Sequence, residues 1–180
     1  TPSNIHRDQC DRNLSMARHL KRHTFAAALI ASLPCWAAPV VADDLVGRAS
    51  VIDGDTIEIH GQRIRLHGID APESRQLCRK DGQEYRCGQQ ASLALADKIG
   101  VRPVTCEPRD IDRYQRIVAV CRDGEEDLNA WMVLQGHAVA YRRYSKDYIA
   151  TEEQAQAERR GIWSGEFTMP WLWRRGERLK

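Results

Sequence analysis

The clearest alternation of hydrophobic and polar positions lies in residues 51–73, and it predicts a β-hairpin. The apolar positions that set this period-2 spacing are Ile57, Ile59, Ile64 and Leu66. A tight turn at Gly61-Gln62 is expected to join the two strands. Because a hairpin brings its two open ends together, acidic residues that flank the strands should converge at one end of the pair.

The rest of the pattern predicts further strands and three helices. The strands are expected at residues 45–52, 101–107, 116–121 and, as a last short one, 138–141, and the helices at residues 89–99, 128–135 and 148–160. Residues 74–88 and 109–115 are charged or polar and are predicted to be connections. The five longer strands, with one helix inserted and two appended, indicate a small closed barrel of the α+β class, mainly β.

Carboxylates flank the hairpin on both sides. Asp53 and Asp55 precede its first strand, Asp70 and Glu73 follow its second, and Arg65 lies within the second strand. Taken alone, Asp-Gly-Asp is a common turn sequence and Asp-Ala-Pro-Glu is typical of a loop. Their joint occurrence, with an arginine between them, favours a site that handles a metal ion and a phosphate.

These motifs resemble the thermonuclease, or staphylococcal-nuclease-like, family. The family pattern of Asp-Gly-Asp-Thr, then Arg, then Asp-x-Pro-Glu is matched by residues 53–56, Arg65 and residues 70–73. The resemblance continues through residues 112–116 and ends near Trp163. It implies a five-stranded OB-fold barrel with three helices. It also implies a Ca²⁺-dependent phosphodiesterase that cuts single-stranded DNA and RNA most readily and leaves 3′-phosphates.

The resemblance implies a metal site and a catalytic carboxylate. Asp55 and Asp70 would bind Ca²⁺ through their carboxylates, as a hard cation prefers oxygen ligands. The main-chain carbonyl of Ala71 would be a third ligand, at a position where the family usually has Thr. Glu73 corresponds to the carboxylate that orients or deprotonates the attacking water.

The resemblance also implies roles for arginines and tyrosines. Arg65 and Arg116 correspond to the two arginines that contact the phosphate and the developing charge, work that suits a planar, permanently charged guanidinium. Arg113, Tyr141 and Tyr144 would line the nucleotide pocket, where stacking on a ring tolerates any base.

One residue of the motif at residues 112–116 departs from the family. Gln115 stands where Gly is typical, before Arg116. Glycine permits a positive φ that glutamine adopts at a cost. The reach of Arg116 is therefore the point at which the resemblance is weakest.

The composition allows one domain and gives it little net charge. The chain has 180 residues, of which 42% are hydrophobic, and a formal net charge of +2. The positive excess lies before Asp43, so a nucleic-acid partner would be held by a local basic surface.

The N-terminal residues predict export. Residues 1–15 are polar and are assigned to an upstream segment. Residues 16–42 have a basic start, an apolar stretch at 25–33 and small residues before Asp43, which is typical of a signal peptide. The mature protein, with a domain at residues 43–166 and a Trp/Arg-rich tail at 167–180, is expected to be periplasmic or secreted, without a membrane anchor, and monomeric.

Export favours disulfides. The cysteines that follow the predicted leader are Cys78, Cys87, Cys106 and Cys121. Their spacing fits no zinc site, and an even number in an exported protein indicates disulfides. Three pairings are open, and we favour Cys78–Cys87 and Cys106–Cys121. The first would tether the segment that follows Glu73.

Two features leave alternatives open. The tail residues 167–175 could contact single-stranded bases, although the interpretation that Trp171 and Trp173 cover the barrel next to Trp163 is favoured. The chain could also be a non-catalytic OB-fold that binds nucleic acid, or a disulfide-stabilised exported binding or envelope protein. The complete set of catalytic motif residues argues against the non-catalytic class.

Overall fold

The structure, a computed structural model, describes residues 43–179. In chain order the strands are β1 (Leu45–Asp53), β2 (Thr56–Ile59), β3 (Gln62–Leu66), β4 (Ile69–Asp70), β5 (Cys78–Lys80), β6 (Gln83–Tyr85), β7 (Pro103–Ile111), β8 (Ile117–Asp123), β9 (Glu126–Asp127) and β10 (Val139–Ala140). The helices are α1 (Cys87–Ile99), α2 (Leu128–Leu134), α3 (Ile149–Ala157) and α4 (Pro170–Arg174), with a 3₁₀ turn at Gly161–Ser164 before α4. The predictions for residues 1–15 and 16–42 lie outside the described residues. Within residues 43–179, no helix combines the length and apolar character needed to cross a membrane.

Five strands close into a barrel, as the sequence predicts. They are ordered β3, β2, β1, β7 and β8 with antiparallel neighbours. Parallel pairing of β3 with β8, through Ile64 opposite Ile117 and Leu66 opposite Ala119, closes the ring. This is the OB-fold barrel of an α+β, mainly β, chain.

The barrel interior contains the alternating residues of the predicted hairpin. Ile57, Ile59 and Ile64 have no exposed surface, and Leu66 has 1%. Helices α1 and α2 pack against this core through Ala91, Leu95, Ile99, Leu128, Met132 and Val133. Burial of each large aliphatic side chain contributes about 1.5–3 kcal/mol. The hairpin that carries the acidic motifs is therefore fixed by its own core residues.

The turn of this hairpin lies one residue earlier than predicted. Ile59 pairs with Gln62, which leaves His60 and Gly61 as the two turn residues. Both have positive φ, at 51° and 77°. Two-residue hairpin turns favour this conformation because its twist matches that of the strands.

Residues 74–88, predicted to be a long loop, contain a second hairpin. Strands β5 and β6 pair antiparallel around a turn at Asp81 and Gly82, which have φ of 51° and 75°. The residues of this hairpin are mostly polar and half-exposed or exposed, so they show no period-2 pattern. The prediction of a structureless loop was therefore wrong.

The three predicted helices are present, and α4 adds a fourth. Asp127 caps α2, since its carboxylate accepts a hydrogen bond from the Ala130 amide at 2.9 Å. Helix α4 begins at Pro170, a favoured first helical residue. Five residues are too few to show apolar periodicity, which explains why the sequence pattern did not indicate it.

Both favoured disulfides are present. Cys78–Cys87 links β5 to the first residue of α1, with 5.6 Å between the Cα atoms. Cys106 and Cys121 lie directly opposite each other on β7 and β8. The first disulfide therefore restrains the segment after the acidic motif, and the second joins two neighbouring strands of the barrel.

The strand that carries Asp70, β4, is supported by its partner strand β10 and by helix α3. Asp70 on β4 lies opposite Val139 on β10. Glu152 of α3 is 3% exposed, and its Oε1 accepts a hydrogen bond from the Ala140 amide at 2.9 Å. Its Oε2 accepts one from Arg142 Nη2 at 2.7 Å. Helix α3 thereby fixes β10 and, through it, β4.

Candidate active site

The hairpin brings three motif residues into direct contact. Asp55 lies in the turn between β1 and β2, Arg65 on β3 is opposite Thr56, and Asp70 is on β4. Arg65 Nη2 lies 3.0 Å from Asp55 Oδ2 and 2.9 Å from Asp70 Oδ1. Arg65 Nη1 also donates to Asp55 Oδ1 at 3.2 Å. One guanidinium thus joins two carboxylates that come from different elements.

Burial shapes the electrostatics of this cluster. Asp55 is 5% exposed and Asp70 is fully buried. Burial raises the pKa of Asp70, and hydrogen bonds from Arg174 oppose that rise. Burial alone would lower the pKa of Arg65, but the neighbouring Asp55 and Asp70 carboxylates outweigh it and raise it. The arginine is therefore held charged between the two acids.

Asp53 adds a further carboxyl group beside Asp55. Its Oδ1 accepts a hydrogen bond from the Asp55 amide at 3.0 Å. Burial and the nearby Asp55 charge raise the pKa of Asp53 to about 6. Asp53 thus shapes the turn that presents Asp55.

Glu73 is held through its main chain by a residue that the sequence did not indicate. The Glu73 amide donates to Gln76 Oε1 at 3.2 Å, and the Gln76 amide donates to the Glu73 carbonyl at 2.7 Å. Gln76 has no exposed surface, and its Nε2 donates to the Thr168 carbonyl at 2.6 Å. Helix α1 also approaches closely, because a Cβ at Gly88 would lie 1.8 Å from the Glu73 carbonyl oxygen. Glu73 is therefore positioned by Gln76 and by α1, and Gln76 is itself held by the segment before α4.

Arg174 of α4 connects Glu73 with Asp70. Its Nη1 donates to Asp70 Oδ1 at 3.0 Å and to Glu73 Oε1 at 2.7 Å, and its Nη2 donates to Asp70 Oδ2 at 2.7 Å. The sequence carries no signal for this contact, because Arg174 lies outside the matched motifs. The acidic cluster thus includes a second guanidinium, supplied by the tail.

The two other predicted arginines lie at the turn of the β7–β8 hairpin, where their hydrogen-bond partners are Asp112 and Tyr114. Arg116 donates to Asp112 Oδ2 through Nε at 2.8 Å and through Nη2 at 2.7 Å. Arg113 is exposed, with its guanidinium 4.7 Å from the Tyr114 ring centre. Gln115, between them, has a φ of 62°, the left-handed conformation expected where Gly is typical. The β3–β8 pairing puts Val118 opposite Arg65, and Arg116 lies two residues before Val118, directly before the start of β8.

The predicted tyrosines form an aromatic cluster with the tail. The Tyr141 and Tyr144 rings lie 4.7 Å apart, edge to face, and Tyr144 is 66% exposed. Trp171 stacks on Tyr141 with an interplanar angle of 4° and 5.8 Å between ring centres. Trp171 also packs against the cluster around the Cys78–Cys87 disulfide. This agrees with the favoured interpretation for Trp171, which shares that cluster with Trp163, whereas the Trp173 ring lies 4.3 Å from the Arg178 guanidinium.

The donor atoms at the site suit a hard cation. Asp55 and Asp70 offer carboxylate oxygens, and the Ala71 amide donates to Asp55 Oδ2 at 3.1 Å, which places the Ala71 main chain beside them. Within residues 43–179, no three His, Cys, Asp or Glu side chains surround a common point. A cation here would draw on two carboxylates, a carbonyl and water, a set that fits Ca²⁺ better than Zn²⁺.

Comparisons with known proteins identify the family. The sequence profile of the family described as staphylococcal nuclease homologue matches residues 63–165. The micrococcal nuclease of Shigella flexneri is 36% identical over 172 residues, which cover 85% of this chain and 90% of that protein. The succinoglycan biosynthesis protein ExoI of Rhizobium meliloti is 40% identical over 129 residues, covering 69% and 68%. An uncharacterized endonuclease of Haemophilus influenzae is 34% identical over 137 residues, covering 72% of each chain.

The extent of these matches and the OB-fold barrel lead to the same assignment. Members of this family are generally metal-dependent, in keeping with the oxygen-rich site at Asp55 and Asp70. The chain belongs to the staphylococcal nuclease homologue family, and it is a nuclease that hydrolyses phosphodiester bonds.

Proposed function

We propose that the chain is a Ca²⁺-dependent endonuclease that hydrolyses single-stranded DNA and RNA and leaves 3′-phosphates. The observation that carries this proposal is the convergence of Asp55, Arg65, Asp70 and Glu73 at one end of the hairpin, with Arg65 between two buried carboxylates. A non-catalytic OB-fold would have no need to bury acids around a guanidinium, since burying charge is costly.

Asp55, Asp70 and the Ala71 carbonyl would hold the cation. Bound there, Ca²⁺ supplies positive charge that polarises a phosphoryl oxygen. Arg65 would bind a second phosphate oxygen, because its fork is already oriented by the two aspartates. Glu73 is 36% exposed on its side chain, so its free oxygen can orient a water and accept a proton from it.

Arg116 would stabilise charge that develops at the phosphate. Asp112 holds its guanidinium through two hydrogen bonds while leaving the side chain 23% exposed. A permanently charged donor that is already in position stabilises the transition state without having to reorganise during the reaction. Its position directly before β8, the strand that pairs with the strand of Arg65, supports a joint role at the phosphate.

Substrate preference would follow from the surfaces beside the site. Tyr141, Tyr144 and Arg113 offer ring faces and positive charge, and stacking on a ring works with any base that is not held in a duplex. Single strands of either sugar type would therefore be the favoured substrates, bound by a monomer.

The two disulfides support an oxidising compartment, periplasmic or extracellular. Residues 16–42 would act as a cleaved signal peptide and residues 43–166 as the nuclease domain. Mass spectrometry of the exported protein would test this, with Asp43 as the expected first residue. A mature protein that retained residues 16–42 would contradict it.

The reaction is tested by digesting single-stranded DNA with protein that starts at Asp43, in Ca²⁺ and in chelator. We expect cleavage that requires Ca²⁺ and falls by about 10²–10⁴-fold in Glu73→Gln. Glu125→Gln, at an exposed glutamate before β9, is the matched control and should cleave normally. Products should resist extension by a polymerase until a phosphatase removes the 3′-phosphate. Tight DNA binding without cleavage would indicate the non-catalytic OB-fold instead.

A further inference from the structure

Arg174 occupies the same carboxylate oxygens that the proposed cation would use. Both oxygens of Asp70 accept hydrogen bonds from this guanidinium, at 3.0 Å from Nη1 and 2.7 Å from Nη2. Nη1 also donates to Glu73 Oε1 at 2.7 Å. Paired bonds between a guanidinium and a carboxylate are among the strongest in proteins. A cation that coordinates Asp70 therefore has to compete with them.

The guanidinium is delivered by a segment that is fixed to the domain. Before α4, Glu166 and Arg79 exchange two main-chain hydrogen bonds, at 2.7 and 2.8 Å. Gln76 Nε2 donates to the Thr168 carbonyl at 2.6 Å, Pro170 is buried, and Trp171 stacks on Tyr141. Arg174 thus reaches Asp70 from an anchored segment, residues 166–176, which we call the arm.

The charges of the cluster show what Arg174 does to cation binding. Three carboxylates, those of Asp55, Asp70 and Glu73, lie in contact with two guanidinium groups, those of Arg65 and Arg174. Each guanidinium lowers the attraction that this acidic cluster exerts on a divalent cation. The Arg65 side chain is 20% exposed and lies within the barrel sheet, whereas that of Arg174 is 36% exposed and lies on the last helix. Arg174 is therefore the group that a cation can displace without disturbing the barrel.

We propose that Arg174 competes with Ca²⁺ for Asp70, so that α4 sets the cation affinity of this nuclease. The inference rests on the proposed function, which places Ca²⁺ at Asp55 and Asp70. Because binding free energies are reciprocal, Ca²⁺ should in turn weaken the hold of the site on α4.

A purely structural role for Arg174 makes a different prediction. If this arginine served mainly to hold Asp70 and Glu73 in position, its removal would reduce stability and leave the Ca²⁺ affinity equal or weaker, because the carboxylates would no longer be placed to share a cation. Cation affinity therefore separates the two roles, whereas stability does not.

The test is titration calorimetry of Ca²⁺ into the purified chain, its Arg174→Gln variant and its Arg175→Gln variant. Arg175 is the exposed neighbour at the end of α4, and its variant should bind Ca²⁺ as the parent does. We expect Arg174→Gln to bind Ca²⁺ about tenfold more tightly or better. Equal or weaker binding in Arg174→Gln would overturn the inference while leaving the proposed function intact. If none of the three bound Ca²⁺, the proposed cation and this inference would both be wrong.

Two further measurements do not depend on Arg174→Gln folding. Trp171→Ala loosens the arm without changing Arg174, and it should bind Ca²⁺ more tightly than the parent, by a smaller factor. In the unaltered chain, Ca²⁺ should speed amide hydrogen exchange in residues 170–176 because the arm is released. Unchanged or slower exchange there would contradict competition.

Discussion

At the scale of single residues, Arg65 is what allows two buried carboxylates to lie side by side. Asp55 and Asp70 are 5% and 0% exposed, and the charges of two carboxylates so close together repel each other. The Arg65 guanidinium donates to both acids at once. A planar fork can do this, whereas a lysine ammonium is a compact point charge.

Arg65→Lys is therefore expected to keep the charge and lose the function. The ammonium cannot contact both aspartates and a phosphate oxygen together, and we expect cleavage to fall by about 10²–10³-fold. Initial rates on single-stranded DNA measure this. Arg63→Lys, an exposed arginine on the same strand, is the control and should cleave normally. Full activity in Arg65→Lys would show that the fork is dispensable.

Gln115 gives a second residue-scale prediction, on stability. Its φ of 62° is easy for glycine and strained for a β-branched residue. We expect Gln115→Gly to match or exceed the parent in free energy of unfolding by up to about 1 kcal/mol, and Gln115→Val to lose about 1 kcal/mol or more. Urea denaturation compares the three proteins. A Val variant as stable as the Gly variant would mean that the turn relaxes into another conformation.

At the scale of elements, the position of the short strand β4 depends on its partner strand β10 and on helix α3. Its partner β10 is held by Glu152, which accepts hydrogen bonds from the Ala140 amide and from Arg142. Glu152 is 3% exposed and Ala140 is 1% exposed, so without Glu152 the Ala140 amide would be left in a buried site without its acceptor. Helix α3 thus contributes to the position of Asp70 without touching it.

Glu152→Ala should lower the free energy of unfolding by about 1–3 kcal/mol, because a buried amide is left without an acceptor. Urea denaturation gives the value. Glu153→Ala, at the exposed next residue of α3, should change the stability by less than about 0.5 kcal/mol. Equal effects of the two substitutions would show that β10 is held by packing alone.

The sequence predicted best those elements that are stabilised by their own hydrophobic residues. The β2–β3 hairpin was predicted because four buried aliphatic residues stabilise it, and that hairpin also brings Asp55, Arg65 and Asp70 together. The β5–β6 hairpin was missed because a disulfide and a turn with positive φ hold it, and neither leaves a hydrophobic pattern. Helix α4 was missed because its contacts to Tyr141 and Asp70 come from distant parts of the chain.

At the scale of the whole molecule, the candidate site is assembled from both ends of the described chain. Arg174 reaches Asp70 across a separation of 104 residues, and Gln76 reaches Thr168 across 92. Neither contact has a local signature, because each depends on where α4 packs. The motifs therefore predicted the acids and the first arginine, but not the groups that position Glu73.

The two disulfides should differ in what they do for the molecule, although their effects on stability should be similar. They close loops of similar length, with sequence separations of 9 and 15, and each should contribute about 3 kcal/mol by restricting the unfolded chain. Cys78–Cys87, however, lies between Gln76 and the start of α1, the two contacts that hold the Glu73 main chain. Cys106–Cys121 joins two barrel strands that are already paired.

Replacing each pair with alanine separates these roles. Removing either disulfide should lower the free energy of unfolding by about 2–4 kcal/mol in urea. Well below the melting temperature, the variant without Cys78–Cys87 should cleave at least about tenfold more slowly, because a small displacement of a catalytic group is costly. The variant without Cys106–Cys121 should cleave at nearly the parent rate, since the barrel pairing keeps Arg65 and Asp70 in place. Equal rates in the two variants would mean that Gln76 and Gly88 position Glu73 without help from the disulfide.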